Sequence, residues 1–273
     1  MRIIAADKIS SAVKELCLKA DIELRPDVLA ALKAALKKER GGRAGNILKA
    51  VIDNALIARE EKLAICQDTG LPCVYIELGQ DARIKGDLAK AVNRGIAEGY
   101  KSGYFRRSVV ADPLLRGRPA YIPGVIHTDI VPGNRVRITV LPKGFGCENK
   151  SRLKMFNPTA SWRDIEDFVV ESVKAAGPDA CPPYVVGVGI GGTADHACLL
   201  AKKAILNGIG GRSRGPEKRL LARINKLNIG PMGLGGKTTA LAVKIEKYPT
   251  HIAGLPVAVN ISCHATRSAG ALL

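Results

Sequence analysis

Aromatic residues make up only 4% of this 273-residue chain, with a single tryptophan, so it has little of the stacking surface that single-strand nucleic-acid binders use. No apolar run approaches the roughly 20 residues of a membrane span. No N-terminal segment joins basic residues, a long apolar stretch and a small-residue cleavage site. A cytoplasmic protein without a membrane partner is expected. Acidic residues are also scarce, 25 Asp and Glu against 42 Lys and Arg, which leaves a net charge of +17. That sign favours anionic partners. The basic residues are dispersed, as at Lys33, Lys37, Lys38, Lys202 and Lys203, and read as solvated faces plus an anion-attracting pocket rather than a nucleic-acid track. No nucleic-acid partner is expected.

The dense cysteine spacing of a secreted disulfide framework is missing too. Cys17, Cys66, Cys73, Cys147, Cys181, Cys198 and Cys263 are odd in number and spread along the chain. In a reducing compartment they serve as core thiols, a nucleophile or metal ligands. What is present is a chain 47% hydrophobic, long enough to bury a core without staples. It carries no internal repeat, low-complexity tract or dividing linker, so one domain over 1–273 is expected.

Apolar residues three and four apart in "ISSAVKELCLKA", "PDVLAALKAALKKE" and "GNILKAVIDNALIAREE" predict a helical N-terminal part over about residues 1–60. "CVYIELG" reads as a strand and "DARIKGDLAKAVNRGIAEGYKS" as the helix after it. "NRVRITVLPKG" alternates as a half-exposed strand does, and the following "KGFGCENKSRLKMFNP" reads as a loop. Ser161 with Asp164 forms a capping-box pattern for a helix ending at Gly177. Further strands are expected in "CPPYVVGVGIGG", "TTALAVKIEKY" and "LPVAVNISC", and helices in "TADHACLLAKKAIL" and "PEKRLLARINKLN". The fold class is therefore α/β, or mixed α+β: a helical N-terminal layer followed by alternating strands and helices.

Two nucleotide motifs fail on inspection. Gly187, Gly189 and Gly192 satisfy G-x-G-x-x-G between a strand and a helix, but no acidic residue stands about 20 residues on, where "GIGGRSRG" offers Arg212 and Arg214 instead. Close strand-to-helix packing, or an anion at the helix N-terminus, is the simpler account. "GPMGLGGKTT" ends like a phosphate loop, yet Pro231 replaces its opening glycine and a β-branched run follows.

Cys66, Cys181 and Cys263 share a setting at strand ends or in glycine- and proline-rich corners, whereas Cys17 and Cys198 lie on apolar helical positions and read as core. Cysteine followed by proline recurs in iron–sulfur corners, but the residues alone leave these thiols as either cluster ligands or inert. Asp68 beside Gly70 is likewise either an Asx turn or a reactive carboxylate, His251 either a loop histidine or a catalytic one, and Arg106 either a surface residue or an anion ligand.

Five stretches in register, "ICQDTG", "KGFGCENKS", "ACPPYVVGVGIGGTAD", "NIGPMGLGGKTTA" and "THIAGLPVAVNISCHATR", resemble the α subunit of the class I fumarase and L-tartrate dehydratase family, the iron–sulfur hydro-lyases. The resemblance implies a [4Fe–4S] cluster on Cys66, Cys181 and Cys263 whose open iron binds a C4 dicarboxylate. It implies interconversion of fumarate and (S)-malate, or dehydration of L(+)-tartrate. It places Gln67, Asp68, Arg106, Gly146, Asn149 and Lys150 on the substrate, and Asp68 and His251 among the catalytic groups. It also implies a β subunit in a heterotetramer that supplies the general base, so that this chain alone is inactive. Phe145 and Cys147 depart from the glycine and small residue of many relatives. A nucleotide- or nucleic-acid-binding protein is the rival of a different class.

Overall fold

The computed structural model describes residues 2–39, 41–210 and 215–273, so Arg212 and Arg214 lie outside the described residues. In chain order the elements are β1 (Arg2–Ala5), α1 (Ala6–Ile22), α2 (Pro26–Glu39), α3 (Gly42–Glu61), β2 (Leu71–Gly79), β3 (Ala82–Lys85), α4 (Leu88–Ser102), β4 (Val125–Val131) and β5 (Val136–Lys143). They continue with α5 (Phe145–Glu148), β6 (Arg152–Phe156), α6 (Trp162–Ala176), β7 (Tyr184–Gly192), α7 (Ala194–Ala204), α8 (Gly215–Asn225), β8 (Ala240–Thr250), β9 (Leu255–Ser262) and β10 (Ala269–Leu272). This is the mixed α/β chain that the sequence led us to expect, with its first three helices before residue 62. No helix among the described residues is long and apolar enough to cross a membrane.

The chain divides into two compact units, each assembled from separate segments: 1–25, 55–145 and 267–273 in one, 26–54 and 146–266 in the other. The first is built on a four-stranded sheet in the order β10-β5-β2-β4, in which β2 and β4 run parallel and the other pairings are antiparallel. Alternate residues Val74, Ile76, Val136, Ile138 and Val140 point to one face, where they meet Ile9, Val13 and Leu16 of α1 and Val92, Ile96 and Tyr100 of α4. β5 is more enclosed than the half-exposed strand its alternation suggested. It is an inner strand, and its last residues, through Lys143, are all buried. The stretch at 82–85, expected to open a helix, pairs with β1 in a parallel ribbon, and α4 starts later, at Leu88, capped by the Asp87 side chain.

In the second unit the order is β6-β9-β7-β8. Val186, Val188, Val257, Val259 and Ile261 share one face with Ile165, Val169 and Val173 of α6 and with Leu220 and Ile224 of α8. The residues between them face α7: a Cβ at Gly187 or Gly189 would collide with the carbonyls of Ala201 or Ala197, and Ala258 packs with the same two alanines. The G-x-G-x-x-G pattern thus lets a helix backbone approach a strand. The capping box of α6 forms, with Ser161 and Asp164 each accepting from the other's backbone. The segment expected as a loop after β5 instead holds the single turn α5 and the strand β6, which pairs with β9 as an edge.

Candidate active site

In the first unit, chemistry-bearing residues gather at the turn that enters β2. Leu71 pairs with Lys143, which brings the last residues of β5 against Gly70. Gly70 adopts φ +74°, and a Cβ there would lie 2.8 Å from the Lys143 nitrogen and the Pro142 carbonyl carbon. Asp68 closes an Asx turn, accepting from the Gly70 amide at 3.0 Å, while its other oxygen accepts from the Phe145 amide at 2.9 Å. The Asx-turn reading of Asp68 holds. The carboxylate builds the turn and is also fixed in orientation by two backbone donors.

The same turn is held from three more directions. The Tyr100 hydroxyl donates to the Thr69 carbonyl at 2.7 Å, the Arg106 amide donates to Thr69 Oγ1 at 3.0 Å, and Arg267 Nη2 donates to the Asp68 carbonyl at 2.7 Å. Cys66 is half-buried, its Sγ 3.2 Å from Gln67 Oε1. The fold thus gathers Cys66, Gln67, Asp68 and Arg106, with the Arg106 side chain exposed to solvent.

In the second unit, β7 and β9 are antiparallel with Val185 opposite Ser262. The start of one strand lies beside the end of the other, so the corners carrying Cys181 and Cys263 meet. The His264 amide donates to the Cys181 carbonyl at 3.1 Å, and the Cys181 amide donates to the Pro178 carbonyl at 3.0 Å. Cys181 sits at φ +52°, a left-handed conformation that a non-glycine residue adopts only where surrounding structure enforces it. The glycine loop joins this corner: Cys147 Sγ donates to the Ala180 carbonyl at 3.4 Å, and Lys150 Nζ pairs with Asp179 Oδ2 at 2.7 Å. Cys147 is therefore a buried thiol bracing the Cys181 turn. Burial, with lesser contributions from Cys147 and Cys181, pushes the nearby Tyr184 hydroxyl up beyond its usual range.

His251 is not among these residues. It follows β8, whose last residue Thr250 pairs with Gly192 at the far end of β7, and the eight residues of β9 separate the two ends by roughly 25 Å at about 3.3 Å per residue. It is exposed and accepts from the Ala253 amide through Nδ1 at 3.2 Å, as a loop histidine does. Cys198, expected in the core, is exposed on α7 because the face of that helix turned to the sheet is Ala197 and Ala201. Cys17 is buried as expected, and Cys73 is buried as well. The glycine loop ending in Lys237 cradles no phosphate: the Gly236 and Lys237 amides already donate to Asn228 and Glu39.

Sequence reasoning missed Asp21 and the buried Lys143. Nothing in a single sequence marks an acid near the end of an amphipathic helix, or a lysine closing a strand, as a charge to be enclosed.

Cys66, Cys181 and Cys263 are all half-buried thiols, unlike the buried Cys17, Cys73 and Cys147. Each, taken by itself, is a thiol at a loop corner, open enough to be reached and shielded enough to be held, as an iron–sulfur ligand must be; Cys66 lies in the first unit and Cys181 and Cys263 in the second. Among the described residues no three His, Cys, Asp or Glu side chains are grouped to hold a single metal ion.

Residues 10–271 match the profile of the fumarate hydratase (Fumerase) family. A Methanocaldococcus jannaschii protein provisionally named L(+)-tartrate dehydratase subunit alpha is 43% identical over 96% of each chain. The L(+)-tartrate dehydratase subunit alpha of Escherichia coli strain K12 is 30% identical over 96% of this chain and 90% of its own, and that of Escherichia coli O157:H7 is 31% identical over the same shares.

Proposed function

Because the chain belongs to the fumarate hydratase (Fumerase) family, we propose that it is the α subunit of a [4Fe–4S]-dependent hydro-lyase that interconverts fumarate and (S)-malate in the cytoplasm, in a heterotetramer with a β subunit. The observation that carries this reading beyond the family is the joining of the Cys181 and Cys263 corners through the His264 amide. It brings the two corners that carry these half-buried cysteines together at one end of a sheet.

Cys66, Cys181 and Cys263 would hold the cluster, which when bound supplies a Lewis-acidic iron to the hydroxyl and carboxylate of the substrate. The chain's own residues do the rest. Arg106 offers its guanidinium fork to a carboxylate, with Gln67, Asn149 and the Gly146 backbone as further donors. Lys150 adds a cation once it exchanges Asp179 for substrate. Asp68, with both oxygens oriented by amides, holds or moves a proton at the reacting carbons, while the general base comes from the β subunit. A net charge of +17 draws the dianion toward the site. His251 lies at the other end of its sheet from the Cys181 and Cys263 corners, so a catalytic role for it would be played apart from them.

A second reading, dehydration of L(+)-tartrate, is favoured by the names of the relatives. Anaerobic reconstitution with iron, sulfide and the β subunit, followed by assays on fumarate, (S)-malate and L(+)-tartrate, separates the two. We expect a broad band near about 400 nm from thiolate-bound cluster, and expect Cys181→Ser to lose both band and turnover. Full activity in that variant removes the cluster assignment. A colourless protein whose affinity for DNA falls steeply with salt supports the nucleic-acid rival.

A further inference from the structure

The turn bearing Cys66, Gln67 and Asp68 rests on a charged pair enclosed in the first unit. Asp21, near the end of α1, is 0% exposed and Arg267 is 4% exposed, with Oδ1 and Nη1 2.9 Å apart. For such a pair the cost of removing two ions from water offsets most of their attraction, and well-packed apolar residues often stabilise a fold as well or better. Stability alone is therefore a weak account of it.

The hydrogen bonds supply a stronger one. Arg267 turns its second nitrogen to the Asp68 carbonyl at 2.7 Å, and the main-chain carbonyl of Asp21 accepts from the Ile65 amide at 2.9 Å. Between them the two residues grip the chain on either side of Cys66 and Gln67. Tyr100 extends the grip by donating to the Thr69 carbonyl. None of these contacts uses the Asp68 side chain, which is left to the Gly70 and Phe145 amides.

We propose that Asp21 and Arg267 are positioning residues: the buried pair fixes the Ile65–Thr69 main chain, and through it the direction of the Cys66 thiol and the Asp68 carboxylate, without touching substrate. The proposal rests on the reading of that turn as part of the active site.

The test replaces the pair by an apolar one, Asp21→Leu with Arg267→Met, in the full chain and in the holoenzyme with its β partner. A merely structural pair predicts that the double variant keeps its thermal transition, its amide exchange and its activity. A positioning pair predicts a folded protein with a near-wild-type transition in which amides 65–70 exchange about 10-fold faster or more, those of β5 are unchanged, and kcat falls about 10- to 100-fold with KM within about threefold. Arg267→Lys, which keeps the charge but cannot reach both Asp21 and the Asp68 carbonyl, reads the same quantities should the double variant fail to fold. Unchanged exchange at 65–70 or wild-type kcat in a folded variant overturns the proposal. If the wild-type holoenzyme hydrates no C4 dicarboxylate, the active-site reading fails, and exchange alone decides whether the clamp exists.

Discussion

Replacing Gly70 by alanine tests the geometry of the turn most directly, because the structure contains its own control. Gly70 and Gly117 share φ +74°, but a Cβ at Gly117 meets nothing within 4 Å while one at Gly70 would lie 2.8 Å from main-chain atoms of Pro142 and Lys143. Both substitutions carry the left-handed cost of a side chain, about 1–2 kcal/mol, reduced by about 0.4–1 kcal/mol because alanine also restricts the unfolded chain. Gly70→Ala adds a clash with β5 backbone, which has no rotamer to change, at a typical overpacking cost of about 1–3 kcal/mol. Gly117→Ala should thus destabilise by about 1 kcal/mol and Gly70→Ala by about 2–4 kcal/mol. The assay is amide exchange of β2 and β5 under mild urea, which reads the opening free energy of this sheet. The Gly70→Ala holoenzyme should also turn over more slowly, since the displaced amide is a donor to Asp68. Equal losses in the two variants would refute the claim that β5 confines this turn.

Other consequences can be measured alongside. Cys147→Ala removes a buried thiol and its bond to Ala180, and should cost about 1–2 kcal/mol in urea unfolding while leaving the 400 nm band of reconstituted protein in place; loss of the band would make Cys147 a ligand. Lys150→Ala should raise KM about 10- to 100-fold, the worth of a charge-assisted hydrogen bond, with a smaller change in kcat; an unchanged KM removes Lys150 from the substrate. Burial pushes the Asp21 carboxyl up from 3.8 to about 7 against the downward pull of Arg267 and Tyr100. The folded chain then keeps a proton that the unfolded chain has released, so stability contributed by the protonated form declines as pH rises from about 4 to about 7. Asp21→Asn should flatten that decline in thermal melts across the same range, and parallel profiles for the two proteins would contradict it.

Some of this chemistry was legible in the residues. The capping box at Ser161 and the three early helices depend on neighbours within a turn or two, and they formed where the pattern put them. The stretch at 82–85 was misread because four residues of alternation beside a strong helix look like its first turn; pairing with β1, from the other end of the unit's sequence, decided otherwise. Cys198 was misread for a related reason. A helical stripe of small residues faces the sheet more closely than a stripe of large ones, and alanines, not the thiol, took that place.

By itself the sequence determined the periodicities, the excess of positive charge, the motifs in register and the failure of the two nucleotide loops, since each is a property of residues near one another along the chain. Tertiary structure alone decided which of these residues meet. The antiparallel register of β7 and β9 joins Cys181 to Cys263 and sends His251 to the opposite end. Packing of α1 and the last segment into one unit brings Asp21 to Arg267. Enclosing those charges depends on low dielectric surroundings and on partners distant in sequence, and no local pattern of residues encodes either.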